Sequence, residues 1–164
     1  MNKKIPVILI ILALLSIAAV TSIQDSKQDF DGLFEMKVPL GQHYRDVAYC
    51  LPNGALGCIR EYWEDNAGCQ IEDGDIVVYY YNNSLLVDGE SNAFEHAIRG
   101  LTTSYLYKIA QDDGHTLVLT NDIGMKNMPP YLVGKSNGDG SKVVFVGGNN
   151  LGDLKSFADS IEFK

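Results

Sequence analysis

The sequence predicts an α+β domain, a mostly antiparallel sheet built from hairpins and flanked by two helices. Turn residues join β-rich runs at Pro52-Asn53-Gly54, at Asp113-Gly114 and at 137–140, and short loops of this kind connect antiparallel strands. Only two stretches after residue 23 carry the helical spacing of apolar residues, and they do not alternate with the strands. These three observations favour α+β over a parallel α/β sheet, which needs that alternation.

The strands follow from local patterns. The stretch 33–38 alternates apolar and polar residues and stops at Pro39, which cannot donate a ladder hydrogen bond. The stretch 75–81 is rich in β-formers, and it places Val77, Tyr79 and Tyr81 on one face with Val78 and Tyr80 on the other. Predicted hairpins occupy 43–50 with 57–64, 105–120 and 131–148, and a short strand ends the chain at 160–163.

Two helices complete the predicted domain. The apolar period becomes helical between residues 88 and 101, where one stripe is formed by Ala93, Phe94, Ala97, Ile98 and Leu101. Asn92, followed three residues later by Glu95, is typical of an N-terminal cap. The second helix is predicted from about Leu151 to Asp159.

The segment 1–23 has the features of a membrane-targeting sequence. Lys3 and Lys4 precede an uncharged apolar run, and small polar residues follow it, which is the layout of an export signal. The run stays uncharged through Ile23, close to the roughly 20 residues that span a bilayer. A cleaved signal peptide and a retained N-terminal membrane anchor therefore both remain open, whereas the basic flank disfavours a buried core helix.

The rest of the chain is predicted to be exported, either extracellular or at the cell surface. Residues 24–31 are expected to form a short polar tether, and residues 32–164 a single domain. Without Lys3 and Lys4, 11 of the 13 basic residues remain against 21 acidic ones, a formal charge of −10. Such a surface repels nucleic acid and anionic lipid.

Three cysteines, Cys50, Cys58 and Cys69, lie close together in the sequence. Outside the cell, two of them are expected to pair. A three-residue loop centred on Gly54 would place Cys50 opposite Cys58 and favour that disulfide. A two-residue loop would favour a bridge from Cys69 instead, and three buried free thiols are the remaining alternative.

The stretch Gly147-Gly148 raises the question of a phosphate loop. Gly147 and Gly152 have the glycine spacing of such a loop, but Asp153 and Leu154 stand where lysine and a hydroxyl are required. A carboxylate there would repel a phosphate. The pattern therefore predicts that the glycines permit a sharp turn, that Asn149 or Asn150 caps the following helix, and that Asp153 complements the helix dipole.

No metal or cofactor site is predicted. The run 137–142 begins like a calcium-binding loop, but Lys142 replaces the required glycine. His43, His96 and His115 lack metal-ligand spacing, and each is interpreted as a surface histidine. A serine-hydrolase elbow is absent, and nothing in the sequence selects a Cys–His catalytic pair.

Tyrosines and asparagines near residue 80 suggest a binding surface. Asn82-Asn83-Ser84 is a glycosylation sequon at Asn82. Tyr79, Tyr81, Asn82 and Asn83 together form a candidate surface for a glycan or a protein edge. Core packing of the tyrosines is the favoured interpretation.

The order of elements resembles a known fold family. A strand of the form F-x-M-x-V-P-x-G (Phe34, Met36, Val38, Pro39, Gly41) opens the domain, and LKSFADSIEF closes it. The span 30–164 resembles PsbP/Mog1-like domains and, more loosely, small secreted proteins of methanogenic archaea. The resemblance implies an antiparallel sheet with flanking helices, an α/β/α sandwich. It also implies an accessory or scaffolding role, as in photosystem extrinsic subunits and a nuclear-transport factor, and it carries no catalytic motif onto this chain. The cysteine-bearing hairpin departs from the family pattern.

The expected function is that of a non-enzymatic binding or accessory protein outside the membrane. Its predicted partners are a surface protein or a glycan, with the membrane contacted through the N-terminal segment if that segment is retained. The alternative is a cell-envelope enzyme that uses a cysteine or histidine. For that enzyme, Cys58 or Cys69 should be a free thiol of low pKa close to a histidine.

Overall fold

The structure is a computed structural model that describes residues 25–47, 51, 53–63, 71–114, 116–124 and 128–164. In this part of the chain the strands are β1 (Asp25–Phe30), β2 (Phe34–Pro39), β3 (His43–Asp46), β4 (Ala55–Arg60), β5 (Ile76–Asn82), β6 (Lys108–Asp112), β7 (Thr116–Thr120), β8 (Tyr131–Ser136), β9 (Lys142–Gly148) and β10 (Glu162–Phe163). The helices are α1 (Ala93–Thr103), α2 (Leu151–Asp159) and a 3₁₀ turn, Asn83–Leu85. The predicted α+β class is confirmed.

Seven strands form one antiparallel sheet in the order β3-β4-β5-β9-β8-β7-β6. The three predicted hairpins are present, although the first has another register than expected, and β5 and β9 meet in the centre, where Tyr79 lies opposite Phe145. Both central strands are buried along nearly their whole length. Strands covered on both faces lose the alternation of polar and apolar residues, which explains the unbroken apolar run 143–146.

Helix α1 covers one face of this sheet. Ala93, Ala97 and Leu101 are buried and pack in one cluster with Val77 and Tyr79 of β5. The predicted stripe and the predicted strand face are therefore confirmed. The cap is also as predicted, because Asn92 Oδ1 accepts from the N–H of Glu95 at 3.0 Å.

Helix α2 and a second, smaller sheet cover the opposite face. The small sheet has the order β1-β2-β10. Its inward side chains, Phe30 and Phe34, join Val78 and Tyr80 of β5 and the buried residues of α2 in one cluster. The rings of Phe30 and Phe34 stack with centroids 4.7 Å apart. The domain thus has three layers, with α1 on one side of the large sheet.

The predicted tether over 24–31 is wrong for residues 25–30, which form β1 and pair antiparallel with β2. Phe30 is completely buried, whereas Lys27 and Asp29 lie on the opposite, exposed face of the strand. Lys27 contacts Glu35 at 2.9 Å and Glu162 at 2.6 Å. An edge strand with one solvated face has the composition of a linker, which is why its sequence predicted one.

The predicted signal peptide or anchor over 1–23 lies outside the described residues. Within the described ranges, every helix is too short or too polar to pass through a lipid bilayer.

Candidate functional site

A cleft lies at one end of the domain, where three loops meet the start of α2. The loops are 39–42 between β2 and β3, 72–75 before β5, and 148–150 between β9 and α2. The cleft has two lobes, which share Gln42, Gly74 and Asp75. The residues that line the cleft are far apart in the sequence and become neighbours only in the folded protein.

The first lobe has an apolar floor and encloses about 160 Å³. Ile76, Leu154 and Phe157 form much of the floor, and Pro39 lies at its edge. Leu154 and Phe157 belong to the apolar stripe of α2 that packs on the core. The lobe is therefore continuous with the hydrophobic core and is held by rigid elements.

Two glycines end β9, and the second of them, Gly148, lines this lobe. Neither is at the turn: both lie in the strand, and the chain turns after them at Asn149 and Asn150. A Cβ on Gly147 would stand 2.5 Å from Pro129 Cγ, and one on Gly148 would stand 3.2 Å from the carbonyl oxygen of Asp75. The predicted turning role is thus replaced by a steric one: a side chain at Gly147 would overlap its neighbours, and one at Gly148 would crowd the carbonyl oxygen of Asp75.

The start of α2 is closed to phosphate. Asn150 Oδ1 accepts from the N–H groups of Gly152 at 3.0 Å and Asp153 at 3.4 Å, so the predicted cap is confirmed. The Asp153 carboxylate in the first turn complements the positive end of the helix dipole. The N–H groups of Gly152 and Asp153 are therefore occupied, and the carboxylate makes the local charge negative.

The second lobe encloses about 230 Å³ around a buried ion pair. The Arg60 guanidinium of β4 contacts the carboxylate of Asp75, and both side chains are almost completely buried. Asp75 Oδ2 also accepts from the backbone N–H of Glu72 at 2.7 Å, while Arg60 Nη1 lies 3.5 Å from Glu72 Oε1. Removing one partner of a buried pair leaves an uncompensated charge, so this pair fixes the 72–75 loop against β4.

Trp63 is fixed beside the same lobe. The guanidinium of Arg60 lies 4.2 Å from the centre of its ring, and that of Arg45 lies 5.3 Å away. The indole Nε1 donates to the carbonyl oxygen of His43 at 3.2 Å. Cation–π contacts with these two arginines order this ring. Trp63 is the only tryptophan of the chain, so its fluorescence reports on the cleft.

The lining of the cleft is strongly acidic. Five carboxylates and one guanidinium, that of Arg60, line the two lobes; the carboxylates belong to Glu61, Glu72, Asp73, Asp75 and Asp153. Asp73 Oδ1 accepts from Asn149 Nδ2 at 3.1 Å, which links the 72–75 loop to the start of α2. The cleft therefore favours cationic groups over anionic ones.

Two large apolar side chains stand exposed beside the cleft. Leu40 is 61% exposed and adjoins the lining residue Pro39, and Tyr62, which lines the second lobe, is 78% exposed. Sequence reasoning missed both residues and the cleft itself. The available signals were the single tryptophan and the acidic run 72–75, but their meeting with Gly148 depends on tertiary structure.

The candidate surface at Tyr79, Tyr81, Asn82 and Asn83 is corrected in part. Tyr79 and Tyr81 are 0% and 5% exposed, because α1 covers that face of β5. Burial raises the pKa of the Tyr79 hydroxyl well above its usual range. Neither ring can present a binding surface, and the favoured core interpretation of both tyrosines is confirmed.

Asn82 and Asn83 take part in local structure at the end of β5. Asn82 Oδ1 accepts from the N–H of Ser84 at 2.9 Å, and Asn83 Oδ1 accepts from the N–H of Ala93 at 2.9 Å. Glycosylation of Asn82 stays a prediction.

Cys58 is a free thiol with 2% exposure. Its partner across the strands is Arg45, so the predicted register with Cys50 opposite Cys58 is wrong. Cys50 and Cys69 lie outside the described residues, and cysteine pairing stays a prediction. Burial raises the pKa of the Cys58 thiol to about 12, which keeps it protonated and a poor nucleophile.

The histidines show no catalytic or metal-binding arrangement in the described parts of the chain. His96 is on α1, and its Nδ1 lies 2.7 Å from Oε2 of Glu90, which precedes the helix. His43 lies exposed on β3, and His115 lies outside the described residues. Over the same ranges, no three metal-ligating side chains converge on one point.

The fold defines a class of protein, an α+β domain with a PsbP-like arrangement of sheet and helices. The solution structure of cyanobacterial PsbP (CyanoP) from Synechocystis sp. PCC 6803 is similar, with a TM-score of 0.51. The match covers 86% of this chain and 93% of that chain at 15% sequence identity. At that identity the likeness concerns the fold alone. No protein-family model and no curated protein sequence matches the chain.

Proposed function

We propose that this protein is a non-enzymatic accessory domain that binds a protein partner outside the cytoplasmic membrane. Its N-terminal segment either directs export across that membrane or anchors the domain in it. One observation carries the proposal: a cleft with a concave apolar lobe is flanked by two large side chains exposed to solvent, Leu40 next to the first lobe and Tyr62 in the second. Exposed apolar groups around a pocket are typical of protein-binding sites.

Two further features support this function. The PsbP-like fold is in keeping with the accessory or scaffolding roles that the PsbP/Mog1-like resemblance implies. The apolar run that precedes β1, with its basic start, is typical of export. A glycan is the less favoured ligand, because the two tyrosines proposed as a sugar platform are buried.

The alternative of a cell-envelope enzyme is not supported at Cys58, the one candidate nucleophilic cysteine in the described residues. The thiol of Cys58 is buried and protonated, whereas a catalytic cysteine needs an accessible thiolate. Maleimide labelling of the native chain at pH 8, followed by peptide mapping, should leave Cys58 unmodified until urea is added. Rapid native labelling of Cys58 or Cys69 would revive the alternative.

Site-specific photo-cross-linking tests the proposed function. A photoreactive amino acid placed at Leu40 or Tyr62 of the full chain, in its native membranes, should capture the same discrete protein. Val87 is the matched control, because it is 55% exposed and follows the opposite end of β5. Equal capture at all three positions, or none, contradicts the proposal.

A further inference from the structure

We infer that the cleft receives a lysine or arginine side chain from a basic segment of the partner, an inference that rests on the proposed function. The two lobes match the two halves of such a side chain. Its aliphatic stem suits the apolar floor of Ile76, Leu154 and Phe157, and its charged end suits the carboxylates of the adjoining lobe. Long cationic side chains bury their stems and keep their charge among polar groups in this way.

The charge of the cleft selects this occupant. The one lining cation, Arg60, is already compensated by Asp75 and Glu72. Asp73 and Asp153 stay exposed and have no cationic partner among the ion pairs of the described residues. An acidic segment or an anionic headgroup would meet uncompensated like charges here, whereas a cation would relieve them.

Gln42 provides an independent sign of a missing donor. Its side chain lines both lobes, and its Oε1 atom is buried without a hydrogen-bond partner in the described structure. A buried acceptor without a partner is costly. A small rotation of the amide would let an ammonium or guanidinium N–H of the occupant satisfy it.

The topology places the cleft near the start of the domain. Asp25, the first residue of β1, lies opposite Pro39 at the edge of the first lobe. The uncharged apolar run extends through Ile23, and each extended residue spans only about 3.3 Å. With the anchor retained, the cleft lies at the membrane-proximal end of the domain, within reach of basic residues beside a membrane-spanning segment of the partner.

Peptide binding to the full chain tests the occupant. The chain is placed in phosphatidylcholine nanodiscs at low salt, and a dye-labelled, capped hexalysine is titrated by fluorescence anisotropy. The double variant Asp73→Asn/Asp153→Asn should weaken binding about 2- to 30-fold, the range for two exposed ion pairs. The matched control Asp112→Asn/Asp139→Asn removes two exposed carboxylates elsewhere and should change it less than about 2-fold. Because Asp73 holds Asn149, Glu61→Gln serves as a second variant if the first fails to fold.

Matched peptides distinguish the contribution of the lysine charge to binding from that of its aliphatic stem. Hexa-acetyl-lysine keeps the stem and loses the charge, so it should bind much more weakly than hexalysine, and hexaglutamate should not bind. Equal weakening by both double variants, or equal binding of the acetylated peptide, overturns the inference. The two experiments fail separately. If Leu40 and Tyr62 cross-link to a protein but the cleft binds hexalysine no better than the acetylated peptide, this inference alone is overturned. If hexalysine binds selectively but neither position cross-links to a protein, only the proposed function is overturned.

Discussion

At the scale of the residue, the backbone of β9 approaches its neighbours too closely for a side chain at Gly147. A methyl group there would stand 2.5 Å from Pro129 Cγ and 2.6 Å from Leu132 Cδ2. We expect Gly147→Ala to lower the free energy of unfolding by about 1–3 kcal/mol, the usual cost of overpacking. Urea denaturation followed by Trp63 fluorescence measures this change.

Gly138→Ala is the control for that experiment. A Cβ at Gly138 meets nothing within 4 Å, so its effect should stay within about 0.5 kcal/mol. If both variants lose the same free energy, the close packing described at Gly147 is wrong.

The Glu90 carboxylate should make stability depend on pH. Burial raises its pKa, but the backbone N–H of Val87 and the side chains of His96 and Arg99 outweigh this, and the pKa falls below 4.5. A lowered carboxyl pKa stabilises the folded state above the unfolded-state value, and this contribution is lost as pH falls. The difference in unfolding free energy between the native chain and Glu90→Gln should therefore shrink below pH 4.5. A difference that stays constant from pH 7 to pH 3 would contradict this assignment.

At the scale of the element, β1 belongs to the folded domain because Phe30 anchors it. The ring is completely buried, stacks on Phe34 and meets the edge of Tyr44 at a centroid distance of 4.9 Å. We expect Phe30→Ala to cost about 3–5 kcal/mol of unfolding free energy. Tyr62→Ala, at an exposed aromatic side chain, should cost less than about 0.5 kcal/mol. A tether at 24–31 would instead make both variants equally harmless in chemical denaturation.

Elements with strong local signals could be predicted from the sequence. The hairpin at Asp113-Gly114 and the helix capped by Asn92 depend on turn chemistry and on the spacing of apolar residues, which neighbours in the chain determine. The strand β1 lacked such a signal, since Phe30 is its only large inward side chain. The faces of β5 left two functional interpretations, because a tyrosine on a strand can pack in a core, the favoured interpretation, or contribute to a binding surface.

The cleft could not be predicted, for a related physical reason. Pro39, Asp75 and Gly148 are far apart in sequence and become neighbours only when β2, β5 and β9 take their places in the two sheets. The acidic loop was visible as a charged turn. Its pairing with Arg60, which makes it part of a rigid site, depends on the register between β4 and β5.

At the scale of the whole molecule, two hydrophobic cores share one sheet. On β9, Phe145 belongs to the core under α1, whereas Val144 and Val146 belong to the core under α2 and the small sheet. A substitution in one core also destabilises the other, because the backbone hydrogen bonds of the shared strands hold the side chains of both cores in place. The two cores should therefore unfold together as a single cooperative unit.

Two matched substitutions test this cooperativity. Leu101 of α1 and Leu154 of α2 are each 1% exposed and lie in different cores, so Leu101→Ala and Leu154→Ala should each cost about 2–5 kcal/mol. In both variants, far-ultraviolet circular dichroism and Trp63 fluorescence should give coincident denaturation curves with an unchanged dependence on urea. Coincidence would show that the α1 core, against which Trp63 packs, unfolds together with the secondary structure of the whole domain. Separate transitions in Leu101→Ala, with the Trp63 signal changing at lower urea than the circular dichroism, would instead show that the α1 core opens independently of the rest of the domain.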